Sequence, residues 1–159
     1  MKFLKKAVVA LVFVLGVGLL ASPAWGTHCS TAKGAGNYGF TLNGVLVLPS
    51  GPVPIAAVGR AKLDADGNTS GTEARNVGGG FADETFTGTF TINADCTGTA
   101  TLKFFEAGQL VRTSVLSTVE DDDNQEIRMV QQSLTLPDGS TLPVILTVEA
   151  RRISRNDED

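Results

Sequence analysis

Alternation with a period of two residues governs this chain. Thr85-Phe86-Thr87-Gly88-Thr89-Phe90-Thr91-Ile92 places apolar residues or glycine at every second position and threonine between them. Only an extended strand, whose side chains point alternately to opposite faces, gives such a segment one buried and one solvated side. Residues 99–105 continue the pattern, with Ala100, Leu102 and Phe104 on one face and Thr99, Thr101 and Lys103 on the other. Asn93-Ala94-Asp95-Cys96 lies between them with the chemistry of a turn, so the two segments form a hairpin.

The same logic extends along the chain. Tyr38, Phe40, Leu42, Leu46 and Leu48 share a face over residues 38–48, as do Ile55, Ala57, Gly59, Ala61 and Leu63 over 55–63. A turn at Asp64-Ala65-Asp66-Gly67-Asn68 leads to a weaker strand over 69–77 that ends at Gly78-Gly79-Gly80. Further strands are expected over 110–119, 126–136 and 141–153, separated by the acidic loop 120–124 and the turn Pro137-Asp138-Gly139-Ser140. About eight antiparallel strands joined by short turns make an all-β fold, expected to be a small up-and-down, calycin-like barrel. A two-sheet β-sandwich is the alternative, because periodicity does not reveal whether the first and last strands pair.

The N-terminus follows a different rule. Lys2, Lys5 and Lys6 precede an apolar run over residues 7–20, then Ala24-Trp25-Gly26. Fourteen apolar residues match the central region of a secretory signal and fall short of the roughly 20 that span a bilayer. Residues 1–26 are therefore expected to be a cleaved signal peptide, with Thr27 the first mature residue and cleavage after Ala24 the runner-up. Residues 27–153 form a single β-barrel-like domain and 154–159 a disordered polar tail. The product is secreted or periplasmic, with no membrane anchor after cleavage.

Charge and cysteine content narrow the partners. Removal of the three signal lysines leaves 10 Lys+Arg against 17 Asp+Glu. That acidic balance, with cations scattered along the chain, disfavours nucleic acid and anionic membrane surfaces. The two cysteines, Cys29 and Cys96, are expected to form a disulfide in an oxidising compartment, the alternative being two free buried thiols.

Several motifs resolve to structure when weighed. Gly34-Ala35-Gly36-Asn37-Tyr38-Gly39 matches the dinucleotide fingerprint in letters only, because it runs into a strand and not a helix. Gly78-Gly79-Gly80 has no following Lys-Ser/Thr, so it is no phosphate loop. Asp64–Asn68 is out of register for a calcium loop. Neither a metal site nor a cofactor is expected. The one histidine, His28, lies beside Cys29 near the mature terminus, which argues against Ser-His and Cys-His nucleophilic catalysis. Carboxylates at Glu73, Glu84, Asp95, Glu106 and Glu149 lie on or beside strands, with solvent exposure the default.

The segments Cys29-Ser30-Thr31-Ala32-Lys33, Asn37-Tyr38-Gly39-Phe40, Ala57-Val58-Gly59-Arg60-Ala61, Asp64-Ala65-Asp66-Gly67-Asn68-Thr69-Ser70-Gly71 and Gly88-Thr89-Phe90-Thr91-Ile92-Asn93-Ala94-Asp95-Cys96-Thr97-Gly98-Thr99 resemble a group of secreted bacterial small β-barrel-like proteins to which no activity is attached. The resemblance covers about residues 29–101, with Phe90 where the pattern has Tyr. It implies a bacterial exported barrel with paired cysteines and supplies no catalytic residue.

Three functional expectations follow. One is a non-catalytic barrel binding a small apolar ligand, or a partner surface, with a cavity among Tyr38, Phe40, Ala57, Gly59, Phe86, Gly88, Phe90, Ala100 and Phe104. Its small members either leave room or simply accommodate neighbouring rings. A drug-sized ligand needs an interior void of roughly 300 Å³ or more. The alternative is a barrel-cavity enzyme of the cyclase or isomerase kind using Arg60, Glu73 and Arg75, for which surface positions are again the default. A buried carboxylate of raised pKa in the cavity favours the enzyme and a wholly apolar cavity the binder. A third expectation, a surface or matrix component, calls for a broad exposed apolar patch.

The exported product is expected to begin at Thr27 and to lack tryptophan fluorescence, since Trp25 is the single Trp of the chain. Mass measurement of the protein released by its host tests this; a full-length chain held in the membrane pellet overturns it.

Overall fold

The computed structural model describes residues 29–121 and 124–153. The expected signal peptide, Thr27 and the tail 154–159 lie outside the described residues. Eight strands follow one another: β1 (Gly36–Leu48), β2 (Gly51–Leu63), β3 (Asn68–Val77), β4 (Gly80–Ile92), β5 (Thr97–Glu106), β6 (Gln109–Asp121), β7 (Glu126–Thr135) and β8 (Val144–Arg152). Each pairs antiparallel with its neighbours in sequence, and β1 also pairs with β8 from Tyr38↔Arg152 to Leu46↔Val144. The sheet therefore closes on itself, which excludes the sandwich, although β7 and β8 pair only from Glu126↔Arg151 to Val130↔Thr147.

Turn chemistry sets the register. Asp64 Oδ1 accepts the amides of Asp66 and Asn68, and Gly67 takes φ 87°. The β2–β3 connection is thus a hairpin turn whose first carboxylate is occupied by backbone. Several expected boundaries shift: β2 already starts at Gly51 and not at residue 55, and β6 runs on to Asp121, through the first two residues of the expected acidic loop 120–124. Strand β4 starts at Gly80, directly after the Gly78-Gly79 turn, and β8 starts at Val144 and not at residue 141. Pro143 has no N–H to give to a ladder, and Thr141 makes only an isolated bridge with Thr135.

Inward positions build the core. Leu42, Ile55, Phe90, Leu116, Leu146 and Val148 belong to one buried cluster; Tyr38, Ile127 and Ala150 form a second. Gly59 and Gly71 are demanded by close packing, because a Cβ at either would overlap the ring of Phe40 or Phe86, respectively, as well as the neighbouring strand's backbone.

Residues 29–35 stopper one end of the barrel. The Cys29–Cys96 disulfide ties this segment to the β4–β5 turn, where Cys96 has φ 68°. Thr31 Oγ1 accepts the Ile92 amide at 3.0 Å, and Arg152 Nη2 donates to the Lys33 carbonyl at 3.0 Å. The Tyr38 hydroxyl donates to the Gly34 carbonyl at 2.9 Å and accepts from Arg152 Nη2 at 2.9 Å. With 67 positions separating the cysteines, the chain-entropy contribution of the bond is about 4 kcal/mol.

Cys96→Ser, or reduction of the wild type, is expected to cost about 2–5 kcal/mol in denaturant unfolding while the β-strand circular dichroism persists below the new midpoint. Loss of folding altogether would show that the barrel core does not sustain itself without the bond.

Candidate functional site

The lumen narrows to a cavity of about 90 Å³. Tyr38, Phe40, Phe86, Phe90, Ala100 and Phe104 line it, together with aliphatic residues such as Leu42, Leu116 and Met129. Ala57, Gly59 and Gly88 are not among the lining residues. Gly59 lies under the Phe40 ring, and a Cβ at Gly88 would overlap the β5 backbone at Thr101. The glycines make room for rings and strands and leave no void. The rings themselves interlock: Phe86 stands 6.0 Å from Phe40 edge-on and 5.4 Å from Phe104. The volume falls well below the roughly 300 Å³ of a drug-sized pocket. A ligand of that class is therefore excluded in this conformation, and a single ring or short chain is the scale that remains.

The lumen is not wholly apolar. Glu73 on β3 and Glu84 on β4 are directly opposed in register and both point inward, their side chains 1% and 0% exposed. Arg112 on β6 bridges them, Nη2 donating to Glu73 Oε1 at 2.5 Å and Nη1 to Glu84 Oε2. Its guanidinium carbon lies 3.8 Å from the centre of the Phe104 ring, a cation–π contact that fixes its plane. Arg75 Nε donates to Glu84 Oε1 at 2.5 Å, and its Nη2 reaches Glu106 Oε2 at 3.4 Å. Exposure rises along this chain of charges, with Arg112 at 11%, Arg75 at 20% and Glu106 at 48%. The network thus climbs from the lumen toward the end opposite the stopper.

The two carboxylates differ in their partners. Glu84 takes a guanidinium nitrogen on each oxygen, and despite burial the cations Arg112 and Arg75 hold its pKa below the usual carboxylate value. Glu73 has one such partner, and its Oε2 is buried without any among the described residues. Burial, with a further push from the Glu84 carboxylate, raises Glu73 to about 7 against the pull of Arg112. Ser114 and Gln131 supply neutral polarity on the cavity wall, Gln131 Nε2 donating to Ser114 Oγ at 3.1 Å. A third inward carboxylate, Glu120, belongs to the stoppered end, outside the cavity wall; neither of its oxygens accepts a hydrogen bond among the described residues, and burial raises its pKa against the pull of Arg152 and Lys33.

Surface placement therefore fails for Glu73, Glu84 and Arg75, which are drawn inside by their ion pairs, while Arg60 is exposed on the outer face. Glu106 is a half-exposed member of the network, and Asp95 and Glu149 are exposed. Arg112, the residue that joins the two carboxylates, was not singled out by the sequence pattern.

No family model matches the chain, and no curated protein matches it. Among solved structures it is similar to a redesigned beta barrel, mFAP1, bound to DFHBI, at 16% identity and a TM-score of 0.49, covering 77% of this chain and 97% of that one.

Glu73 has a linkage consequence. A carboxyl raised from 4.5 to about 7 on folding stabilises the folded state fully below pH 4.5 and loses that contribution as pH rises through 7. The loss is about 3 kcal/mol at roughly 1.4 kcal/mol per unit. Glu120 acts with the same sign, so the comparison must be with Glu73→Gln. Denaturant unfolding at pH 5 and pH 8 is expected to show a smaller fall for the variant than for the wild type; equal falls would remove Glu73 as the source.

Proposed function

We propose that this is an exported, non-catalytic barrel that holds a small apolar molecule, of the size of one ring or a short chain, in its lumen. The carrying observation is the cavity itself: about 90 Å³ of space lined mainly by aromatic and aliphatic side chains, with Glu73, Arg112, Ser114, Gln131, Thr69 and Thr118 as its polar members. Apolar walls supply affinity by burial, while a few fixed polar groups orient the occupant. Engineered apolar cavities that admit benzene are larger, roughly 150 Å³, so a one-ring occupant of this lumen must displace the wall side chains slightly. The disulfide supports the exported part of the reading, since such bonds persist in oxidising compartments.

An enzyme is the second reading and meets the criterion set out above, a buried carboxylate of raised pKa in a cavity that is not wholly apolar. The binder is preferred because Arg112, the other charged group on the cavity wall, is committed to ion pairs with both Glu73 and Glu84. Glu73 is a buried carboxyl on the cavity wall with a pKa of about 7 and one oxygen free, the state of a group that exchanges protons with a bound substrate. An enzyme of the cyclase or isomerase kind returns its occupant chemically altered and a binding protein returns it unchanged. Mass spectrometry of lumen contents before and after incubation separates the two.

Binding is tested with toluene. It is expected to stabilise the wild type by about 2.7 kcal/mol at a hundredfold excess over its Kd. Ala100→Leu, which extends a cavity-wall side chain into the space, is expected to fold and to lose that response. An Ala100→Leu protein that binds toluene like the wild type would place the binding elsewhere.

A further inference from the structure

The hydrogen bonds of the buried charges specify what the lumen's occupant must carry at its polar end. Arg112 is committed at both tips of its fork, to Glu73 Oε1 and Glu84 Oε2, and its plane is held against Phe104. Arg75 is engaged by Glu84 and Glu106. The groups facing Glu73 in this network are Arg75 on β3, Glu84 on β4, Glu106 on β5 and Arg112 on β6: three carboxylates with Glu73 included, against two guanidiniums. Within that set Glu73 Oε2 is buried and accepts no hydrogen bond. A buried acceptor left unmade costs about 1–3 kcal/mol, and more when charged. Glu73 also lines the cavity.

We propose that Glu73 Oε2 is the acceptor for a hydrogen-bond-donating head group, hydroxyl or ammonium, so that the lumen selects small apolar alcohols and amines and rejects carboxylates. The inference rests on the lumenal-binding reading above. A carboxylate occupant has no donor to offer Oε2, finds the Arg112 fork already occupied, and adds a negative charge to a cluster in which carboxylates outnumber guanidiniums. A hydroxyl supplies the missing donor without adding charge. An ammonium supplies it and balances the excess. The two differ in pH response, since an ammonium needs Glu73 ionised while a hydroxyl donates to either form of the carboxyl's open oxygen or accepts from its proton.

Four probes of one size make the test: benzyl alcohol, benzylamine, benzoate and toluene, titrated into the purified protein by calorimetry at pH 7.5. Benzyl alcohol or benzylamine is expected to bind at least about tenfold more tightly than toluene, with benzoate weakest. Tighter binding of the amine that grows by up to about tenfold per pH unit from pH 5 to 7 identifies ammonium as the preferred head; a flat profile with the alcohol ahead identifies hydroxyl. In Glu73→Gln the preference over toluene is expected to shrink below about threefold. Benzoate binding as well as the alcohol, toluene matching both donors, or a preference that survives in Glu73→Gln overturns the inference. Toluene binding without discrimination overturns it alone and leaves the lumenal reading standing, whereas failure of all four probes on the folded wild type overturns both. The wild-type series decides the head group even where the variant fails to fold.

Discussion

Closure between β1 and β8 is the constraint on which the rest depends. Nine facing pairs, from Tyr38↔Arg152 to Leu46↔Val144, join the first and last strands and turn a meander with two open edges into a ring in which every strand has two neighbours. Closing eight strands fixes the diameter at one that side chains just fill. Inward residues then have no freedom to leave. Phe40 and Phe86 fit because Gly59 and Gly71 have no Cβ. The charges of Glu73, Glu84 and Arg112 meet because β3, β4 and β6 are bent around one narrow space.

The stopper at the other end depends on the same closure. Arg152 lies on β8, yet it donates to Tyr38 of β1 and to the Lys33 carbonyl of the N-terminal segment. A broken β1–β8 seam would separate these groups. The disulfide adds a covalent tie from Cys29 to the β4–β5 turn, so residues 29–35 are anchored to opposite sides of the ring.

Much of this was legible in residue order and part of it was not, for reasons that differ by strand. In β4 the alternation of Phe86, Gly88, Phe90 and Ile92 with threonine names the inner face outright, and the same parity places Glu84 inside, a step open to anyone who extends the pattern two residues upstream. Strand β3 offers no such contrast: Thr69, Gly71, Glu73 and Arg75 face inward and Ser70, Thr72 and Ala74 outward, with little difference in hydropathy. Strand β6 inverts the rule. Ser114, Thr118 and Glu120 are buried along with Leu116, while Val119 is 44% exposed. Hydropathy would put the valines of that strand inside, and register shifts beside Phe104/Phe105 and Val115/Leu116 obscure its parity further. Arg112 was invisible for that reason: its partners belong to strands far away in sequence, and no local pattern encodes a pairing that only the ring creates.

That inversion bears on what the polar interior is for. A buried ion network is weak evidence of stabilisation, because desolvating the charges offsets much of their attraction and well-packed apolar replacements are often as stable or more so. If stability alone shaped the lumen, Glu73, Glu84 and Arg112 would be poor choices beside the phenylalanines that pack around them. Glu84 at least is satisfied on both oxygens. Glu73 is not: its second oxygen is buried and accepts no hydrogen bond among the described residues, and the residue lines a space that the surrounding rings leave unfilled. An unmade hydrogen bond and an unfilled volume each cost free energy, and here they coincide at one residue. A single occupant with an apolar body and a donating head would relieve both.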